Sequence, residues 1–380
     1  MIRVLFILGT RPEAIKFAPL IKAFKTRNDI FSSRVCITSQ HKEMLQQVMQ
    51  FFGINADIDL DIMKPSQSLT DLTANLLSSL QHIIQEEKPD VVFVQGDTTT
   101  AFTGALASFY QQVPVAHVEA GLRSFNKYSP FPEEVNRKII SSIASFHFCP
   151  TVSGDKNLRS EGFNENIYVT GNTVVDALFN GLDLIKAKGE SRLEVNYPFI
   201  DFSKKILLVT CHRRESFGVG FENICQALKQ LAERNPELQV IYPVHLNPNV
   251  QEPVNKLLKD IPNIFLLYPL DYENLLWVMS KSYIILTDSG GIQEEAPALG
   301  KPVCVMRDIT ERTEGIDAGS AILVGTKVEA IINNVEALLL DDVKYKLMSE
   351  VPNPYGDGKA SERIVEIIRK EFINKTSVGQ

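Results

Sequence analysis

Short apolar runs rich in β-branched residues alternate with longer amphipathic stretches along the whole chain. In the first half the runs that read as strands are 2–8, 34–37, 91–94, 115–118 and 146–149, with helix periodicity over 43–52, 69–87, 98–110 and 134–145. The second half repeats the alternation, with strands at 206–210, 239–242, 264–267, 283–286 and 303–305 and helices at 221–234, 271–279 and 293–299. Strands that are apolar throughout, rather than at alternate positions, belong in parallel sheets covered on both faces. The repeated strand–helix order therefore predicts an α/β protein of two doubly wound, Rossmann-like domains. The weakly patterned stretch 186–204, with Gly189 and Pro198, reads as the linker. This divides the chain into a first domain at 1–170, a linker region at 171–203, a second domain at 204–360 and a C-terminal helix at 361–380. That helix is read as capped by Ser361, with Ile364, Ile367 and Ile368 on one face.

Composition narrows the class. At 380 residues, 44% hydrophobic and 22% charged, the chain suits two ordinary globular cores. A formal net charge of -7 argues against nucleic acid or an anionic membrane as the main partner. A basic pocket within an acidic chain still suits a small anion. Cys36, Cys149, Cys211, Cys225 and Cys304 are widely scattered, with no CxxC and no zinc spacing, and read as reduced structural thiols of a cytosolic protein. The opening apolar run is too short for a signal peptide or a membrane span.

Open parallel sheets bind ligands at the carboxyl ends of their strands, so unusual residues just after strands carry the functional signal. Gly9-Thr10-Arg11-Pro12-Glu13 follows the first strand, with Lys16 one helical turn on. Gly9 permits a tight turn, Pro12 suits a helix start, and Arg11 and Lys16 are placed to meet an anion. Gln95-Gly96-Asp97-Thr98 follows the strand at 91–94, where Asp97 is equally compatible with a simple helix cap. Glu119 stands at the tip of the next strand, close to His117, and Glu133-Glu134 opens a later helix. Glu134 is read as a helix-start charge. Asp97, Glu119 and Glu133 together read as a carboxylate group for acid–base work, because grouped carboxylates drive one another's protonation apart.

In the second half, Cys211-His212-Arg213-Arg214-Glu215 follows a buried strand and offers a histidine and two arginines to an anion. His245, after the next strand, is compatible with a ligand contact or a loop hydrogen bond. Thr287-Asp288-Ser289-Gly290-Gly291 presents backbone N–H groups at a helix start, a phosphate cradle, with Glu295 one turn on to accept from vicinal hydroxyls such as a ribose. Arg307 and Arg312 are placed to complete the anion pocket. The chain carries no dinucleotide fingerprint and no metal triad, and these features together describe a diphosphate-binding cleft between the halves.

These segments resemble those of the non-hydrolysing UDP-N-acetylglucosamine 2-epimerases of bacteria. The likeness runs from Gly9-Thr10-Arg11-Pro12-Glu13 to Asn353-Pro354-Tyr355-Gly356-Asp357-Gly358. It includes Gln40-His41, Gly96-Asp97-Thr98-Thr99-Thr100, His117-Val118-Glu119-Ala120-Gly121-Leu122-Arg123 and His212-Arg213-Arg214-Glu215. The resemblance implies GT-B architecture, a C-terminal helix returning to the first domain, a cytoplasmic homodimer and no cofactor. It also implies C2 proton removal, anti elimination of UDP to 2-acetamidoglucal, and re-addition to give UDP-N-acetylmannosamine, a precursor of surface polysaccharides. By motif, Asp97, Glu119 and Glu133 take the proton transfers and His212 the departing diphosphate. Arg11, Lys16, Ser289, Gly290, Gly291, Glu295 and Arg312 take the nucleotide.

Two departures stand out. Glu311-Arg312-Thr313-Glu314 replaces the usual Glu-Arg-Pro-Glu, which predicts a looser loop. Some members hold a second, activating UDP-sugar beside the segment corresponding to Gln40-His41; Glu43 and Ser66 stand here where those members have Gln and Arg, and both changes disfavour a second diphosphate. Competing readings are a hydrolysing epimerase releasing free sugar, an epimerase of a more modified UDP-sugar, a glycosyltransferase of the same architecture, and a nucleotide-sugar-binding regulator without catalysis.

Overall fold

The structure is a computed structural model that describes every residue except 39–41, 63–66, 214–216 and 379–380. Gln40, His41, Ser66, Arg214 and Glu215 thus lie outside the described residues. In chain order the first elements are β1 (Ile2–Leu8), α1 (Arg11–Lys25), β2 (Phe31–Ile37), α2 (Lys42–Phe52), β3 (Ile58–Asp59), α3 (Leu69–Glu87) and β4 (Val91–Gln95). They continue with α4 (Thr99–Tyr110), β5 (Val115–Val118), α5 (Glu133–Ile143), β6 (Phe146–Cys149), α6 (Val152–Ser160), β7 (Ile167–Val169) and α7 (Thr173–Lys188). Next come α8 (Ser191–Glu194), β8 (Ile206–Thr210), α9 (Val219–Arg234), β9 (Gln239–Pro243), α10 (Pro248–Leu258), β10 (Ile264–Leu267), α11 (Tyr272–Lys281) and β11 (Ile284–Thr287). The last are α12 (Gly290–Glu295), β12 (Val303–Val305), α13 (Thr313–Ala318), β13 (Ala321–Leu323), α14 (Val328–Leu340), α15 (Asp342–Ser349) and α16 (Ala360–Val378).

The chain forms two compact units, Met1–Asn180 with Gly356–Gln380, and Gly181–Tyr355. Each is a doubly wound parallel sheet, as the continuous apolar strands predict. The first has seven strands in the order β3-β2-β1-β4-β5-β6-β7, the second six in the order β10-β9-β8-β11-β12-β13. In both, strand order reverses beside the first strand of the unit, which places a ligand-binding switch point between β1 and β4 and another between β8 and β11.

Alternation along β1 explains its apolar run. Leu5 and Ile7 join Leu76, Leu80, Val92 and Val94 on one face. Phe6 turns to the other face, where it stacks on Phe93 at 5.0 Å and meets Phe24 edge-on at 5.5 Å. In the second unit Leu207 and Val209 pack with Phe221, Leu228 and Ile331.

Several sequence expectations change. Most of 171–203 is not an open linker, because α7 and α8 occupy 173–188 and 191–194. Strands β3, β7 and β13, of two or three residues each, add to the strands expected from sequence. Helix α16 begins at Ala360, and its first N–H groups are capped by Asp176 rather than by Ser361: Asp176 accepts from Ala360 at 3.2 Å and from Ser361 at 2.7 Å. Helix α12 starts three residues earlier than periodicity indicates, then gives way to a 3-10 turn at Ala296–Leu299. Pro297 has no N–H to continue the α ladder there. Among the described residues no helix is long and apolar enough to cross a membrane.

Candidate active site

In the first unit the loops after β1 and β4 are stapled by one buried carboxylate. Glu13 Oε2 accepts the N–H groups of Gly9 (3.0 Å) and Thr10 (2.7 Å) and the Thr10 hydroxyl, while Oε1 accepts the Thr98 hydroxyl at 2.6 Å. Burial pushes the Glu13 carboxyl above its ordinary range, against the pull of these donors. A Cβ at Gly9 would stand 2.2 Å from Thr38 Oγ1 and 2.5 Å from Thr100 Oγ1, so this turn closes only on glycine. Arg11, partly buried, opens α1.

Lys16, one turn further, lies on Glu119, with Nζ 2.6 Å and 2.7 Å from its two carboxylate oxygens. The cation expected on a nucleotide thus meets a carboxylate within its own unit. Glu119 sits just past β5 in a left-handed conformation, φ 68°, that a side-chain-bearing residue rarely adopts. Gln95, at the end of neighbouring β4, also donates to it. Asp97 follows on the same loop. Because Gln95 pairs with Val118 across β4 and β5, Asp97 and Glu119 leave the carboxyl ends of adjacent strands.

Asp97 is clasped from α5. Arg137 Nε donates to Asp97 Oδ2 at 3.1 Å, and Arg137 Nη2 donates to the same oxygen. Asn136 Nδ2 donates to the Asp97 carbonyl at 2.9 Å. Glu134, read from sequence as a helix-start charge, does lie in the first turn of α5 and is fully buried: Oε2 accepts the Ser124 N–H at 2.9 Å and Arg137 Nη1 at 3.1 Å. The helix turns it inward, toward Arg137 one turn along. Glu133 is the first residue of α5, and among the described residues its buried Oε2 has no hydrogen-bond partner.

His117 faces the underside of the Asp97 loop. Its Nε2 donates to the Gly96 carbonyl at 2.7 Å, which assigns the proton to that nitrogen. Burial above all, with the charges of His147 and Arg123, pushes His117 down to about 3; burial and Arg123 push its cross-strand neighbour His147 down to about 4.

In the second unit Asp288, immediately after β11, organises the loop after β8. Its Oδ2 accepts the N–H groups of His212 and Arg213, each at 2.7 Å, and its Oδ1 lies 3.5 Å from His212 Nδ1. His245 stacks on His212 with ring centroids 5.5 Å apart and accepts the Asn247 N–H on Nδ1 at 3.1 Å. His245 thus makes the loop hydrogen bond, and its ring flanks His212. Burial and the neighbouring His212 push its charged form to lower pH.

The cradle expected at 289–291 is narrower than the sequence implies. The Ser289 N–H is already given to Thr287 Oγ1 at 2.9 Å. Gly290 and Gly291 are the first two helical residues, where N–H groups have no acceptor within the helix. A Cβ at Gly290 would stand 3.4 Å from Cζ and Nε of Arg312, so glycine lets that guanidinium come close. Arg312 donates to Glu294 at 3.0 Å and to Glu311 at 2.8 Å, and Arg307 also donates to Glu311 at 2.8 Å. Although burial opposes ionisation, Arg312 and Arg307 hold Glu311 down to about 2. Glu295 is buried at the end of α12 and accepts the Tyr272 hydroxyl at 3.0 Å.

Sequence reasoning missed Glu13, Gln95, Asn136, Arg137 and Asp288 as organisers. Glu13, Gln95 and Asp288 carried a signal, each standing inside a motif whose other residues drew the attention. Among the described residues no group of His, Cys, Asp or Glu is arranged to hold a metal.

The family model for UDP-N-acetylglucosamine 2-epimerase matches residues 22–369. The chain is 53% identical over 374 residues to the UDP-N-acetylglucosamine 2-epimerase of Yersinia pestis, covering 98% of this chain and 99% of that one. It is similar in structure to the Neisseria meningitidis UDP-GlcNAc 2-epimerase bound to UDP-GlcNAc, with a TM-score of 0.91, 48% identity and 97% and 100% of the two chains covered. The Methanocaldococcus jannaschii UDP-GlcNAc 2-epimerase in complex with UDP-GlcNAc and UDP is similar at a TM-score of 0.80, with 34% identity and 97% and 99% coverage. With a family model spanning most of its length and a relative this close over nearly all of it, the chain belongs to the UDP-N-acetylglucosamine 2-epimerase family.

Proposed function

We propose that this protein is a non-hydrolysing UDP-N-acetylglucosamine 2-epimerase that interconverts UDP-GlcNAc and UDP-ManNAc. A carboxylate takes the C2 proton as the C1–O bond to UDP breaks on the opposite face, and the C2 electron pair becomes the C1=C2 bond of 2-acetamidoglucal. Protonation of C2 from the other face, with return of the UDP oxygen to C1, completes the inversion. No electron acceptor is needed, since C2 only loses and regains a proton.

The observation that carries this reading is the placement of the carboxylates. Asp97 and Glu119 stand at the ends of adjacent strands, and Glu133 opens the helix that clasps Asp97. The unpartnered Oε2 of Glu133 is the state expected of a group that bonds to substrate. The three act as a coupled set rather than with one owner for each proton. His212 meets the departing diphosphate. Arg11, Lys16, Arg312 and the N–H groups of Gly290 and Gly291, with the hydroxyl of Ser289, offset its growing charge. Glu295 receives ribose hydroxyls, and His245 supports His212 from the side. The relatives that hold UDP-GlcNAc support the substrate assignment. Segments 9–13 and 128–133 resemble the non-hydrolysing branch, which favours return of UDP over attack by water. A homodimer acting in the cytoplasm completes the proposal.

The test is incubation with UDP-GlcNAc in D₂O, followed at C2 by NMR. Deuterium at C2 with UDP-ManNAc at equilibrium is expected. Release of free N-acetylmannosamine and UDP would establish the hydrolysing reaction instead, and tight binding without exchange would refute catalysis.

A further inference from the structure

We infer that Arg137 is a positioning residue for the proton-transfer step, acting through Asp97. This rests on the reading of Asp97 as a proton-transfer group and adds a residue that the motif resemblance does not assign. Asn136 and Arg137, consecutive residues of α5, hold both ends of Asp97: the amide takes its backbone carbonyl and the guanidinium its carboxylate. Both guanidinium bonds fall on Oδ2, so the clasp orients the carboxylate while proton transfer proceeds at Oδ1. A guanidinium has a planar fork of donors, and Arg137 uses its remaining edge on Glu134. Glu134 in turn holds the Ser124 N–H, on the segment that follows β5.

Arg137 is almost fully buried and joined to two carboxylates from different parts of the chain. One of them, Glu134, adjoins Glu133 on the first turn of α5. The network therefore fixes Asp97 relative to the helix that carries Glu133. Holding two proton-transfer groups in register is worth large rate factors, because a displacement of about 1 Å costs on the order of 100-fold. A lysine carries its three donors on one nitrogen and lacks the planar fork that lets Arg137 reach Asp97 and Glu134 with different edges.

The test is a double-mutant cycle on the whole protein. It measures kcat and KM for UDP-GlcNAc, UDP binding and thermal unfolding in wild type, Arg137→Gln, Arg137→Lys, Asp97→Asn and the combined variants. Arg137→Gln is expected to lower kcat about 100-fold with KM and UDP affinity nearly unchanged, and Arg137→Lys to recover only part of that loss. In the Asp97→Asn background the same Arg137 substitutions are expected to cost less than about 3-fold, because their target is already gone. Unchanged kcat in Arg137→Gln, or an undiminished loss in the Asp97→Asn background, overturns the inference. If Arg137→Gln does not fold, the cycle with Arg137→Lys decides in the same way. A wild-type protein without C2 exchange refutes the epimerase reading itself. An active wild type with Asp97→Asn impaired and Arg137→Gln intact refutes only the role of Arg137.

Discussion

Lys16 Nζ lies 2.6 Å and 2.7 Å from the two carboxylate oxygens of Glu119, joining the first turns of α1 to the tip of β5 within one unit. Both side chains are mostly shielded from water, at 12% and 7% exposure. Such a pair offsets its own desolvation only while both partners remain, and the left-handed backbone at Glu119 is held there by the bonds from Lys16 and Gln95.

Removing only the lysine should therefore harm stability more than removing both charges. Lys16→Met leaves a shielded carboxylate without its ammonium and is expected to cost roughly 3 kcal/mol, whereas Lys16→Met with Glu119→Gln should recover most of it. Urea unfolding of wild type, both single variants and the double variant measures the coupling. Additive losses would show that the contact contributes little in solution.

Acid should weaken the fold well before the carboxylates as a class are protonated. His117 and His147 are pushed down to about 3 and about 4, far below an unfolded histidine near 6.5. Between those values the unfolded chain binds more protons than the native one, so stability rises with pH. Working downward, stability is full above about pH 6.5 and falls steadily through pH 6 and 5 toward the folded values. His117→Gln, which keeps a donor for the Gly96 carbonyl, should flatten the dependence of urea midpoint on pH in this window. An unchanged slope would mean that His117 titrates normally in the folded protein.

Much of this architecture is legible in the sequence, for a physical reason. The central strands are apolar on both faces, so their runs are continuous and their tips mark where chemistry can sit. Asp97, Glu119, His212 and Gly290 stand out as candidates for that reason. Strands such as Ile58–Asp59 and Ala321–Leu323 do not, because their register comes from a neighbour's backbone rather than from their own pattern. The clasp of Arg137 on Asp97 spans 40 positions, and no local periodicity announces it. Glu133 and Glu134 show the limit most clearly. Adjacent and chemically alike, they part only when the helix turns one of them inward to Arg137.

Position 313 offers a gain in stability. Thr313 is the first residue of α13, where an N–H has no intrahelical acceptor and proline is favoured. The preceding Arg312 has φ -100° and ψ 61°, outside the helical region that a following proline disfavours. Thr313→Pro should stabilise by about 0.4–1 kcal/mol through the unfolded state. A higher urea midpoint with an unchanged m-value is the expected signature. A lower midpoint would show that the Thr313 backbone or side chain makes a bond the proline removes.

The last prediction concerns Asp288, which ties the loop after β11 to the loop after β8 in the second unit. Its Oδ2 takes the N–H groups of His212 and Arg213, and its Oδ1 lies opposite His212 Nδ1, so one carboxylate sets both the backbone and the ring. On the proposed function, a ring proton on Nδ1 turned toward that carboxylate would leave Nε2 for the diphosphate. Asp288→Asn keeps one oxygen for the backbone donors but places either an amide N–H or an uncharged oxygen before the ring, loosening its orientation. Asp288→Ala removes the acceptor altogether and leaves two partly buried N–H groups without it. The two substitutions should therefore separate. Asp288→Asn is expected to lower kcat roughly 10-fold with little change in melting temperature, since it disturbs ring and charge more than backbone. Asp288→Ala should lose both activity and stability. If Asp288→Asn retains full kcat while Asp288→Ala melts early, the carboxylate serves the fold alone, and the orientation of His212 must come from its stacking on His245.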